Sequence, residues 1–250
     1  MILRRLSEAI TKQNWFIVVI EVLVIVVGIF IGLQVDDWNE TRKDRKDEQL
    51  FLKRLHGDIL LGEELSHRVR ARRLERLELL MDAADILLGR AERDTLNQEE
   101  CIATASSNYY NINVTDLSSL TELAGTGRMD IIQDAELRSA LVKFEQVKDA
   151  LKRIINLQTV ASLNLSSAYP DIIQLAAYFD PELGEARTGV RCESKKMRAN
   201  QAFLNDFSVN VDRYDAYIRD GLAPWSSQFD RVHQLVDDAL GISHDAADIQ

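Results

Sequence analysis

The sequence predicts an all-α protein with one N-terminal transmembrane helix, a long stalk helix and a helical-bundle domain. Three observations carry that expectation. Trp15 to Val35 is an apolar run, WFIVVIEVLVIVVGIFIGLQV, broken by one full charge at Glu21. The 250 residues include only three prolines and eleven glycines, so little interrupts a helix once it has begun. Beyond the run, apolar residues recur every three or four positions, the period that gives a helix one buried face.

The run comes first. About 20 apolar residues rising 1.5 Å each match the roughly 30 Å hydrocarbon layer of a bilayer. Trp15 and Trp38 bracket it, as interfacial aromatics do. It is longer than a signal-peptide core and leads into Gln34-Val35-Asp36-Asp37-Trp38 with no small-x-small cleavage pattern. An uncleaved anchor over 15–35 is therefore expected, behind a short basic tail, 1–14, with Arg4, Arg5 and Lys12. Such a tail ahead of an apolar helix reads as a signal anchor with the large domain outside the cytoplasm. The basic residues among 36–54 supply the alternative, a cytoplasmic domain.

Glu21 needs a reason to be in that run, because a charge near the bilayer centre costs about 2.5–3.5 kcal/mol on insertion scales. At about 100° per residue, Gly28 and Gly32 fall within about 20° of Glu21 on either side. Glu21, Gly28 and Gly32 thus share one stripe, and Gly28-x-x-x-Gly32 is a small-x-x-x-small pattern that lets helix backbones approach. The expected role is packing against a second copy or another membrane helix. A hydrated position near the interface and a proton or ion pathway remain open beside it.

The stalk is read over 36–98 and the bundle over 99–242, with a flexible tail at 243–250. Asp36 to Glu48 is almost wholly polar. Leu55, Ile59, Gly62, Leu65 and Val69 then mark a helix face, which resumes after the arginine cluster at Leu74, Leu77, Met81, Ala84 and Leu88. Ser119 with Glu122 predicts a capping box for a short helix ending near Gly125-Thr126-Gly127. Asp134 should cap a long helix carrying Leu137, Leu141, Phe144, Leu151 and Ile155. Pro170 should restart a helix over Asp171 to Phe179, and a basic loop should follow from Asp180-Pro181. Asn200 should cap a helix ending at Asp220-Gly221, and Pro224 suits the first turn of a last helix with Trp225, Phe229, Val232 and Val236. No strand alternation is evident.

Charge and chemistry narrow the function class. The net charge is −10, and because residues 1–35 carry +1 the part beyond the apolar run carries about −11, which argues against nucleic-acid partners. Cys101 and Cys192 are either one disulfide or two buried thiols. Arg68, Arg72 and Arg76 line one helix face and could grip an anionic ligand or partner, with ion pairing to Glu64, Glu75 and Glu78 as the alternative. His56, His67, His233 and His244 show no metal-ligand spacing and read as surface histidines. No nucleophile elbow or phosphate loop is present. No catalytic, cofactor or metal residue is therefore assigned, and an enzyme is not expected.

One stretch is more specific. Glu21, Gly28-Ile29 and Leu33-Gln34-Val35-Asp36-Asp37-Trp38-Asn39-Glu40 resemble the opening of an uncharacterised family of bacterial single-pass membrane proteins. Ser119 to Gly127, Met129 to Ile132 and Leu137 to Leu141 resemble a second region of that family. Ile20 and Gly32 depart from its pattern, which has Gly and Ala there. The resemblance implies an inner-membrane protein with an anchor-plus-domain layout and supplies no chemistry. The expected function is a membrane-anchored scaffold or sensor, self-associating, with a periplasmic domain and an unnamed ligand. The alternative is a single-pass subunit of an ion-coupled membrane complex that uses Glu21.

Overall fold

The computed structural model describes residues 15–110, 112–182 and 184–243. The basic tail at 1–14, the side chain of Trp15, His244 and all but the first residue of the C-terminal tail lie outside the described residues. The chain divides into two compact units, 1–51 and 52–250.

Helix α1 (Trp15–Leu87) is uninterrupted and contains no proline. Its first part makes up the described portion of the N-terminal unit. From Val19 to Val35 the side chains lie open, with Val24 65% and Phe30 63% exposed. Among the described residues this is the one helix long and apolar enough to span a membrane. Trp38 is 63% exposed, and the Arg42 guanidinium lies 5.8 Å from its ring centroid.

The second unit is a helical bundle with one small sheet. After the later part of α1 come α2 (Gln98–Ala105), α3 (Ser118–Gly125), α4 (Ala135–Ala161) and the short α5 (Leu165–Ala168). Strands β1 (Ile173–Asp180) and β2 (Glu185–Cys192) follow, then α6 (Ser194–Ala199), α7 (Gln201–Tyr217) and α8 (Ala223–Leu240). The core is formed by Leu55, Ile59 and Leu80 of α1, Leu141 and Phe144 of α4, Phe207 and Tyr214 of α7, and Trp225, Phe229 and Val236 of α8. Helices α4 and α8 pack directly, and Phe144 meets Phe229 edge to face at 4.8 Å.

Several local expectations hold. Asp134 caps α4 by accepting from the backbone N–H groups of Glu136 and Leu137, and Asn200 caps α7 by accepting from Phe203. Pro224 lies in the first turn of α8.

Others are corrected. Strands β1 and β2 pair antiparallel as a hairpin, with Ile173 opposite Cys192 and Asp180 opposite Glu185, where the sequence predicts a helix over Asp171 to Phe179 and then a basic loop. Most of the hairpin's residues are exposed, so no burial alternation was written into the sequence for a pattern to detect. The Ser119–Glu122 capping box does not form. Ser119 N–H instead donates to Asp58 Oδ2 of α1 at 2.7 Å. The second apolar stripe of α1 is shifted in phase: Ala84 is buried as expected, but with Leu80, Ala83 and Leu87, while Leu74, Met81 and Leu88 are 38–48% exposed. Leu, Ala and Met crowd this segment, so two phases fit the period, and the small Ala83–Ala84 pair takes the close-packed side.

Helix α7 also does not stop at Gly221. A π-helical turn, Ile218–Leu222, carries it into α8. Gly221 lies in close contact with α4 there instead of ending the helix: a Cβ at that position would lie 3.0 Å from Leu151 Cδ1.

Candidate functional site

Three sets of residues were candidates. In the N-terminal unit, Glu21, Gly28 and Gly32 all lie on the helical, exposed stretch of α1, and no atom outside the helix backbone comes within 4 Å of a Cβ built at Gly28 or Gly32. The helical spacing aligns the three, and the stripe is open to a neighbouring helix.

The arginine set is divided. Arg68 pairs with Glu64 one turn earlier, as in the ion-pairing alternative. Arg76 donates to Ser106 Oγ at 2.8 Å, which fixes α2 against α1. Arg72 and Arg76 line a shallow groove of about 240 Å³ with Val69, Arg73, Tyr109 and Ile112. Arg73 sits 5.7 Å from the Tyr109 ring centroid and donates to the Tyr109 carbonyl at 3.2 Å. The groove therefore combines cationic groups with one exposed aromatic, and Arg68 is not part of it. Tyr110, its neighbour, is buried and packs on Tyr214 and Tyr217. Burial pushes the Tyr110 and Tyr217 hydroxyls above the usual tyrosine range.

Cys101 and Cys192 are joined by a disulfide, with Cα atoms 5.8 Å apart and a sequence separation of 91. The bridge ties α2 to the base of the hairpin, beside the Ile173–Cys192 pair. Helix α2 is itself anchored by a capping box in which Asn97 and Glu100 satisfy each other's backbone N–H groups, and Arg93 pairs with the buried Glu100.

The surface reading of the histidines holds only in part. His67 is exposed and faces Asp230 at 2.9 Å. His56 and His233 are not surface groups, with side chains 18% and 15% exposed. They converge on Asp237: His56 Nε2 lies 3.1 Å from Asp237 Oδ1, and His233 Nε2 lies 3.3 Å from Asp237 Oδ2. Glu63 Oε2 lies 2.7 Å from the other ring nitrogen, His233 Nδ1. His56 and Glu63 stand two helical turns apart on α1, and His233 and Asp237 one turn apart on α8. The only sequence trace of this cluster is the pair of spacings, His-x6-Glu and His-x3-Asp, each on one helix face.

A second groove, about 470 Å³, runs between α1 and α7. Leu77, Met81, Ala84 and Leu88 line one wall and Val211, Asp212 and Asp215 the other. Met81 and Leu88, which the phase of α1 leaves outside the core, lie in it beside the buried Ala84.

One protein-family model, described as a family of unknown function, matches residues 21–173, more than half of the chain. The match begins at Glu21 and ends at the first residue of β1. No curated protein and no solved structure matches the chain.

Proposed function

Since this chain belongs to the DUF6090 family, whose function is unknown, we propose a role from its own residues: a single-pass membrane-anchored helical protein whose domain lies outside the cytoplasm and binds a partner or ligand there, as scaffold or sensor. The observation that carries this reading is the disulfide between Cys101 and Cys192. Disulfides persist in oxidising compartments and are rare in the cytosol. Together with a helix fit to cross a bilayer and a basic tail before it, the bridge favours translocation of the domain. In a bacterial cell the matching address is the inner membrane with the domain in the periplasm. The open Glu21–Gly28–Gly32 stripe supports self-association or pairing with another membrane helix.

The test is topological. Full-length protein in intact cells should resist added protease and become cleavable in its domain once the outer membrane is permeabilised. It should also migrate differently with and without reductant. A domain still protected in spheroplasts, with both cysteines alkylated before reduction, would overturn the reading. A Glu21→Gln variant separates packing from ion coupling: packing tolerates an amide that still hydrogen-bonds, whereas an ion carrier loses all activity while still assembling.

A further inference from the structure

We propose that His56, His233 and Asp237 bind one divalent transition-metal cation, with Glu63 fixing the ring of His233 from behind. The ligand atoms of the three residues lie within 4.8 Å of one another. Zinc bound by imidazole or carboxylate sits about 2.0–2.1 Å from each donor, so the edge of its tetrahedron is about 3.4 Å. Each imidazole already stands about one such edge from the Asp237 carboxylate, His56 at 3.1 Å from Oδ1 and His233 at 3.3 Å from Oδ2. His56 Nε2, His233 Nε2 and Asp237 Oδ1 are all shielded from solvent.

The contacts of His233 point the same way. It faces a carboxylate oxygen at each ring nitrogen, with Glu63 Oε2 2.7 Å from Nδ1 and Asp237 Oδ2 3.3 Å from Nε2. Glu63 thus holds the ring from one side, and Nε2 faces Asp237 in a nearly buried place, where Asp237 is 7% exposed. A cation held there would be coordinated by both the imidazole and the carboxylate.

The donor set selects the metal. Two imidazoles and one carboxylate suit zinc and other late first-row divalent ions, whereas magnesium and calcium prefer all-oxygen shells. A carboxylate on the far ring nitrogen is the usual support for a metal-binding histidine, since it fixes the tautomer and raises basicity. Three protein ligands leave a fourth position for water or a ligand group. The site joins α1 to α8 and does not depend on where the domain lies in the cell.

Full-length protein in detergent, stripped with chelator and dialysed, would be titrated with zinc chloride while bound metal and thermal unfolding are followed. We expect about one zinc per chain, a higher Tm with zinc, and cobalt(II) absorption typical of four-coordination. Binding should be lost in His233→Gln and Asp237→Asn and weakened about 10–100-fold in Glu63→Gln. It should be unchanged in His67→Gln, which removes the exposed cluster with Asp230. The proposal is overturned if wild-type protein retains no zinc at micromolar concentrations and shows no change in Tm. It is equally overturned if His67→Gln abolishes binding, or if a His56→Gln/His233→Gln protein binds as well as wild type. Should a variant fail to fold, the wild-type titration and the cobalt spectrum still decide.

Discussion

The ring of Phe229 occupies the space that a side chain at Gly62 would need: a Cβ built there would lie 2.4 Å from Phe229 Cε1 and 2.7 Å from Cζ. The ring has nowhere to go, because Trp225 packs on it at 5.3 Å and Phe144 at 4.8 Å. Gly62 thus sets how closely α8 approaches α1, one turn ahead of His233.

Gly62→Ala is expected to destabilise the domain by about 1–3 kcal/mol, the usual cost of overpacking a dense core. Helix propensity alone predicts the reverse, a gain of about 1 kcal/mol. Thermal or denaturant unfolding of the two proteins side by side decides, and a gain in stability would refute the contact argument.

Reducing the Cys101–Cys192 bridge, or replacing both cysteines with serine, should cost about 2–5 kcal/mol. The loop it closes spans 91 residues, and longer loops lose more denatured-state entropy on cross-linking. The readout is Tm with and without reductant. Equal values would mean that the bridge contributes no stability.

A pH profile should show the ion pair between Lys148 and Asp116, which are 2.8 Å apart. A hydrogen bond from Lys148 holds the Asp116 carboxyl below the usual carboxylate range, although burial opposes it. Burial pulls the Lys148 ammonium down, but its hydrogen bonds to Asp116 and Glu145 outweigh this and leave it above the usual lysine range. The Asp116 contribution is therefore full above about pH 4 and lost as pH falls through its lowered value, and that of Lys148 is full below about pH 10.4 and lost above it. Asp116 is 55% exposed, so Asp116→Asn should cost less than about 1 kcal/mol at pH 7. It should also flatten the acid limb of the stability curve; an unchanged acid limb would remove this pair from the account.

Gly28→Leu with Gly32→Leu should abolish cross-linking between anchors in membranes, because bulky side chains keep helix backbones apart on the stripe they share with Glu21. Cross-linking at the wild-type level would place any contact on another face.

What could be read in the sequence was what is settled locally. The apolar run needs only length and composition, and the caps at Asp134 and Asn200 act on backbone groups two or three residues away. What was missed depends on distant partners. Asp58 supplies the N–H acceptor at Ser119 from another helix, a role that the nearby Glu122 mimics in sequence. The hairpin is made by pairing between two strands whose Ala, Leu and Gln residues would as readily be helical. His56 and His233 become a cluster only when α1 and α8 pack, so neither carries a ligand spacing of its own.

The π turn at Ile218–Leu222 acts as a gear between the two helices it joins. A π turn holds one residue more than an α turn, so it advances everything downstream by about 100° relative to an unbroken α-helix. The core face of α7 and the face of α8 that bears Trp225, Phe229, His233 and Asp237 are thereby phased independently. Deleting one residue from this turn would leave a regular helix and swing His233 and Asp237 away from His56. One codon in that turn thus sets whether the two halves of the histidine–aspartate cluster meet.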